Sequence, residues 1–176
     1  NELPNIIKQI NLTIDRQISI MLAVSKQVAN DEFILEWNTG DKSAVGEQRL
    51  LQKLGRIQRD YNLSNVSFAN RQTADYWNQD GFLRRLQDDN IDGWFYRYVE
   101  SAQESMVSIY AYPDSERVDL FVNHQQPNGI GLSGVSRSFA DVVNLLNGFK
   151  LEKSGFVYLV DDKGGVQLHR DRSLLG

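Results

Sequence analysis

Residues able to do chemistry are few in this chain, and they do not gather into a catalytic pattern. The two histidines, His124 and His169, are isolated, and no HExxH-type spacing surrounds either of them. Cysteine is absent, which removes thiol nucleophiles, thiolate metal sites and disulfides. Ser133 sits in Gly131-Leu-Ser-Gly134, one residue short of the GxSxG nucleophile turn. Carboxylates are plentiful, yet no pair is marked out by an apolar setting that would split their acidities. What stands out is adhesive rather than reactive. Trp94-Phe-Tyr-Arg-Tyr98 packs four aromatic rings into five residues. Further along, Ser108, Tyr110 and Tyr112 alternate with Val107, Ile109 and Ala111, and Asp119, Phe121 and Asn123 alternate with Val118, Leu120 and Val122. Aromatic walls with a few polar groups are the usual make-up of a small-molecule site. The residues expected to line one are Trp94, Tyr110, Tyr112 and Asn123, with Phe95, Phe121 and Ser136 nearby.

Gly129-Ile-Gly-Leu-Ser-Gly134 matches GxGxxG and raises an alternative, a nucleotide-binding enzyme fragment. Two features weigh against it. About 40 residues follow the motif, too few for the further parallel strands of a doubly wound sheet. The next helix also opens late, at a serine cap, instead of at the last glycine.

The elements that must position these residues follow from periodicity. Residues from Leu3 to Phe33 read as one long helix. Ile7, Ile14, Met21 and Val28 recur every seven residues, and Leu3, Ile10 and Val24 supply a second seam with Gln17 in its missing slot. Such a pattern packs a helix along another helix and points to a homodimer, a plain core helix being the alternative. Trp37 to Ser43 reads as a loop. A second helix runs from Ala44 to Tyr61 with Leu50, Leu54, Ile57 and Tyr61 as its buried stripe and Asn62 as its stop. Leu63 to Phe68 and Tyr76-Trp77 are expected strands, Asn78 to Gly81 a turn, and Phe82 to Leu86 a helical turn or two. Asp92 is expected to cap the aromatic helix. That helix has two roles open to it, covering a sheet or touching a ligand.

Met106 to Tyr112 and Val118 to His124 read as a hairpin. Its aliphatic side should meet helices, and its Tyr, Asp and Asn side should face water or a cavity. Ile130 to Val135 is a strand, and Ser138 opens a helix through Leu146. Gly155 to Val160 and Val166 to His169 are strands around an Asp161–Gly165 turn.

Composition bounds the rest. The chain has 176 residues with 41% hydrophobic and 24% charged, an ordinary globular balance. A net charge of −4 gives no broad electrostatic reason to bind nucleic acid. No apolar run is long enough to span a bilayer, and no signal peptide is recognisable. The chain opens inside a helical pattern, which suggests a piece of a longer protein.

Taken in order, these elements resemble the Cache sensor domains of bacterial transmembrane receptors. The segment Gly155-Phe-Val-Tyr-Leu-Val-Asp-Asp-Lys-Gly-Gly-Val-Gln-Leu-His169 is similar to that family's closing pattern. Leu120-Phe-Val-Asn-His124 with Gly129-Ile-Gly-Leu-Ser-Gly-Val135 is similar to its middle strands. The resemblance implies an α+β fold, a PAS-like antiparallel five-stranded sheet with a long N-terminal helix. It implies a signalling helix and loop over residues 1–43 and a membrane-distal module over 44–176. It also implies a periplasmic domain, anchored in the membrane in the full-length protein, that binds a small molecule and is not itself an enzyme. A diguanylate cyclase, histidine kinase, phosphatase or chemoreceptor output would lie elsewhere. No cofactor is expected.

The amino-acid-binding members place an Arg two residues before a Trp-Tyr pair, an Asp two after it, and another Asp beyond the glycine-rich strand. Here the pair is Trp94-Phe95, flanked by Asp92 and Arg97, and the later acidic position falls at Ser136. An α-amino acid is therefore not the expected ligand. Arg97, turned inward, would instead pair with a carboxylate or phosphate, and an organic acid or other small polar metabolite fits that reading.

Overall fold

The computed structural model describes the backbone of residues 2–111, 117–138, 157–160 and 166–169. Tyr112, the turn after it, the body of the helix expected after Ser138 and the Asp161–Gly165 turn lie outside the described residues.

The first helix, α1 (Glu2–Ala29), is shorter than its periodicity suggests. It stops because Asp31 caps a new helix, α2 (Glu32–Thr39), by accepting the Ile34 N–H at 2.9 Å. Lys53 holds the other oxygen of the same carboxylate at 2.9 Å. Trp37, expected in a loop, therefore lies on α2. Its indole donates to the Ser43 carbonyl at 3.1 Å and meets Trp77 edge-on at 5.5 Å. The helix α3 (Ala44–Asp60) opens at Ser43, whose hydroxyl accepts the Gly46 N–H. Leu50 and Leu54 are buried on it and Ile57 packs beside them, whereas Tyr61 is exposed at the helix end. Asn62 takes a left-handed conformation, φ 53°, and ends the helix as its type allows.

Among the described residues eight strands follow: β1 (Asn65–Asn70), β2 (Asp75–Asn78), β3 (Gly81–Arg85), β4 (Ser105–Ala111), β5 (Val118–Gln125), β6 (Gly131–Ser138), β7 (Val157–Val160) and β8 (Val166–His169). Between β3 and β4 stands α4 (Gly93–Ser101). The strands form one sheet in the order β3-β2-β1-β6-β5-β4-β7-β8, and every pairing is antiparallel. The expected class, α+β with a long N-terminal helix on a PAS-like antiparallel sheet, is the one observed. The sheet is wider than the five strands expected. Its centre is β2-β1-β6-β5-β4, with β3 added on one side and β7 and β8 on the other. Residues 82–85, part of the stretch read as helical, are strand because Gly81 (φ 139°) turns the chain back and pairs Phe82 with Trp77.

Alternation divides the sheet into two faces. Val66, Phe68, Ile109, Leu120, Val122 and Val135 form one core with Ile14, Ile18, Met21, Val24 and Val28 of α1. Burying each such side chain is worth about 1.5–3 kcal/mol, so this layer dominates the fold. The seven-residue seam is thus filled, from Ile14 onward, by the chain's own sheet. Gly131 makes the close approach possible: a side chain there would run into the Ala29 carbonyl at the end of α1. On the opposite face Ala69, Leu86, Phe95, Tyr98 and Leu132 form a second, smaller core under α4.

Candidate functional site

Among the described residues, the second face of the sheet is not filled along its whole length. Two rows of residues cross it in register. In one, Asn65 pairs with Ser136, Ser136 with Phe121 and Phe121 with Ser108. In the next, Ser67 pairs with Gly134, Gly134 with Asn123 and Asn123 with Met106. Partners in an antiparallel ladder project to the same side, so each row is a continuous strip of side chains. Apart from Phe121 and Met106, these strips are small or polar where the neighbouring core is large and apolar. A cleft of about 330 Å³ is left above them, walled by Trp94 from α4 and Tyr76 from β2.

Local bonding decides which polar groups remain available. The Ser67 hydroxyl is committed to Gly134, donating to its carbonyl at 2.9 Å and accepting its N–H at 3.1 Å. Asn65 accepts from the Asn78 amide at 3.0 Å. The carboxamide of Asn123 and the hydroxyls of Ser108 and Ser136 make no side-chain hydrogen bond among the described residues. They line the cleft and are half-buried. Gly134 keeps the floor open: a Cβ there would stand 2.6 Å from Asn123 Oδ1 and 3.1 Å from Ser67 Oγ.

The wall helix is fastened at both ends. Asp92 does not cap α4 through its side chain. Its carboxylate instead grips Arg84 of β3, with the shortest contact 2.7 Å, and accepts the Gln87 N–H at 3.2 Å. The Arg84 guanidinium holds that carboxyl below the usual carboxylate range, against the opposing effect of burial. At the far end the buried Gln125 donates to the Tyr98 and Gln103 carbonyls, both at 2.9 Å, and accepts from Arg71 at 3.0 Å. The phenols of Tyr96 and Tyr98 donate to the Leu86 and Glu104 carbonyls. Burial drives the Tyr98 hydroxyl's acidity down, so it stays a donor.

Of the residues singled out from sequence, Trp94, Phe121, Asn123 and Ser136 meet in the cleft. Phe95 does not line it. That ring is fully buried in the small core and supports Trp94 edge-on at 6.2 Å. Arg97 does not line it either, because one helical turn on from Gly93 its guanidinium folds back over that glycine, near Asp88, on the exposed side of α4. The side chain of Tyr110 and all of Tyr112 lie outside the described residues. Asn65, Ser67, Tyr76, Met106, Ser108 and Gly134 were not singled out. For Asn65 and Ser67 the signal was available, since they alternate with the buried Val66 and Phe68. For Tyr76 and Met106 only the strand order brings them near.

No catalytic arrangement emerges among the described residues. His124 and Ser133 oppose each other across β5 and β6. Each is committed elsewhere: Ser133 donates to the Ser67 carbonyl at 2.8 Å, and His124 Nδ1 lies 3.0 Å from the Ser105 hydroxyl. The GxGxxG stretch runs into β6, an antiparallel strand between β1 and β5, so no helix N-terminus stands behind its last glycine to receive a phosphate. No group of three or more metal-ligating side chains is found among the described residues.

Solved structures place this architecture. The ligand-binding domain of the Pseudomonas aeruginosa PAO1 amino-acid chemoreceptor PctC, in complex with GABA, matches over 99% of this chain and 77% of its own. The TM-score is 0.58 and the identity 16%. The extracellular domain of vpHK1S-Z8, assigned as a histidine kinase, matches over 98% of this chain and 67% of its own, with a TM-score of 0.53 and 14% identity. No family model matches the chain. Among the described residues no helix is long and apolar enough to cross a membrane. In fold, this chain is similar to the extracellular sensing domains of a chemoreceptor and of a histidine kinase.

Proposed function

We propose that the cleft between the sheet and α4 binds a small molecule, and that the chain is the extracytoplasmic, non-catalytic sensing part of a bacterial membrane receptor. Trp94, Phe121, Asn123 and Ser136 would contact the ligand. The observation that carries this reading is the set of uncommitted polar groups inside a partly covered cavity, where an unused amide and two hydroxyls sit beside aromatic walls. A merely structural face would bury apolar groups there or bond the polar ones to each other. A volume of about 330 Å³ suits a metabolite-sized molecule. The likeness to chemoreceptor and histidine-kinase sensor domains supports the same role.

Binding has a route to α1. Ser136 faces the cleft, and the next residue, Arg137, projects to the other face and donates to Gln17 of α1 at 2.7 Å. A ligand that shifts the end of β6 would therefore shift α1, which in a membrane-anchored protein leads toward the bilayer. The output domain would be a diguanylate cyclase, histidine kinase, phosphatase or chemoreceptor module. A homodimer contact, if formed by α1, would fall on its first turns, where Leu12 is exposed, because Ile14 to Val28 are occupied.

The test is a thermal-shift screen over organic acids, amines, sugars and nucleobases. A ligand at a hundred times its Kd adds about 2.7 kcal/mol, a rise of roughly 5–10 °C for a domain of this size. The rise should vanish in a Trp94→Ala, Asn123→Ala double variant. No response to any compound would remove this reading and leave a module that acts through protein contacts.

A further inference from the structure

The described walls of the cleft carry no formal charge. Arg84, whose guanidinium stands 5.7 Å from the centre of the Tyr76 ring, is engaged with Asp92 at 2.7 Å. Arg97, the cation that sequence suggested for a carboxylate, is exposed and does not line the cleft. A charged ligand entering here would leave its hydration for a site that offers it dipoles and rings but no counter-ion among these residues, a costly exchange. The group at the centre has a specific grammar. A carboxamide presents one acceptor and one donor side by side, and it pairs in bidentate fashion with a partner edge that presents a donor next to an acceptor. Gly134 leaves the space in which the Asn123 carboxamide lies, and Trp94, Tyr76 and Phe121 supply flat apolar surface around it.

We infer that this cleft selects an uncharged, planar ligand bearing an amide-like edge, such as a primary carboxamide or a ring lactam, and that Asn123, positioned over Gly134, reads that edge. The inference rests on the proposal that the cleft binds a small molecule, and it narrows the chemical class.

Matched probes separate the two claims. Nicotinamide, nicotinate and the corresponding aminomethylpyridine share one ring and differ in charge. Uracil and orotate form a second set, neutral and anionic. Titration calorimetry of the whole chain at pH 7 should register heat for nicotinamide or uracil and none for the charged members. Asn123→Asp keeps the size but replaces the donor by a charged acceptor, and it should weaken neutral binding at least about tenfold. Gly134→Ala should do the same by pushing the end of the Asn123 side chain aside, with Ser67 Oγ at 3.1 Å giving slightly. Both variants should melt within a few degrees of the parent without ligand, which excludes simple unfolding. A neutral binder indifferent to both substitutions overturns the role of Asn123. A charged binder, from this set or the broader screen, overturns the class while leaving the cleft as a ligand site. The absence of any binder in either experiment overturns the class and the cleft together.

Discussion

At the scale of single residues, two buried side chains matter more than their sequence surroundings suggest. His124, isolated in the sequence, lies buried on β5 on the α1 side of the sheet. Burial pushes its pKa below the usual imidazole value, with Glu104 favouring the charged form and Lys26 opposing it. The unfolded chain therefore binds a proton more readily than the folded one. Stability from this residue is complete above about pH 6.5 and is lost as pH falls from there toward the lowered pKa. The melting temperature should drop between pH 7.5 and 5.5, and a His124→Gln variant should flatten that slope. Gln125 is the second case. It holds two carbonyls at the end of α4 and one guanidinium, so Gln125→Ala should cost about 2–3 kcal/mol in denaturant unfolding. Neither role is visible in sequence, because a buried glutamine and a buried histidine read like solvent-facing residues at a strand end.

Elements show a cleaner correspondence. Period-2 alternation on Val107 to Ala111 and Val118 to Asn123 was legible, and the face each set takes follows from it: Ile109, Leu120 and Val122 meet α1, while Ser108, Phe121 and Asn123 face the cleft. The same alternation places Ser136 and Arg137 on opposite faces of β6. From this comes a coupling prediction. Arg137→Ala should leave ligand affinity within about twofold, because Arg137 does not line the cleft. It should also remove the ligand-dependent change in hydrogen exchange along α1. An unchanged exchange response would refute that route. Boundaries were harder to read. The break at Asn30-Asp31 was hidden by an apolar pattern that continues into α2, and the cap that makes it depends partly on Lys53, more than twenty residues away. The β3 strand was hidden because a short Phe-Leu-Arg-Arg run has no decisive period, and only the pairing with β2 settles it.

For the whole molecule, the long helix raised a choice between partner and core. Ile14 and Met21 are completely buried against the chain's own sheet. An Ile14→Asp, Met21→Asp variant would put two carboxylates into that layer. The expected penalty exceeds about 5 kcal/mol, comparable with the total stability of a domain this size. Circular dichroism should therefore report loss of folded structure, not a folded monomer. A folded variant that merely changes its sedimentation would return Ile14 and Met21 to a dimer seam.

By itself the amino-acid order determined the local periods, and with them the helices, most strands and the two-faced character of the hairpin, since these depend on neighbours within a few residues. It also determined that reactive groups are sparse. What tertiary structure decided is which residues share a cavity. Asn65 and Ser136, or Tyr76 and Trp94, are brought together by strand order and by the docking of α4, and no spacing along the chain encodes such a meeting. It decided against Arg97 and Phe95 for the same reason: adjacent positions on a helix point about 100° apart, and only the packed sheet determines which of those directions is inward.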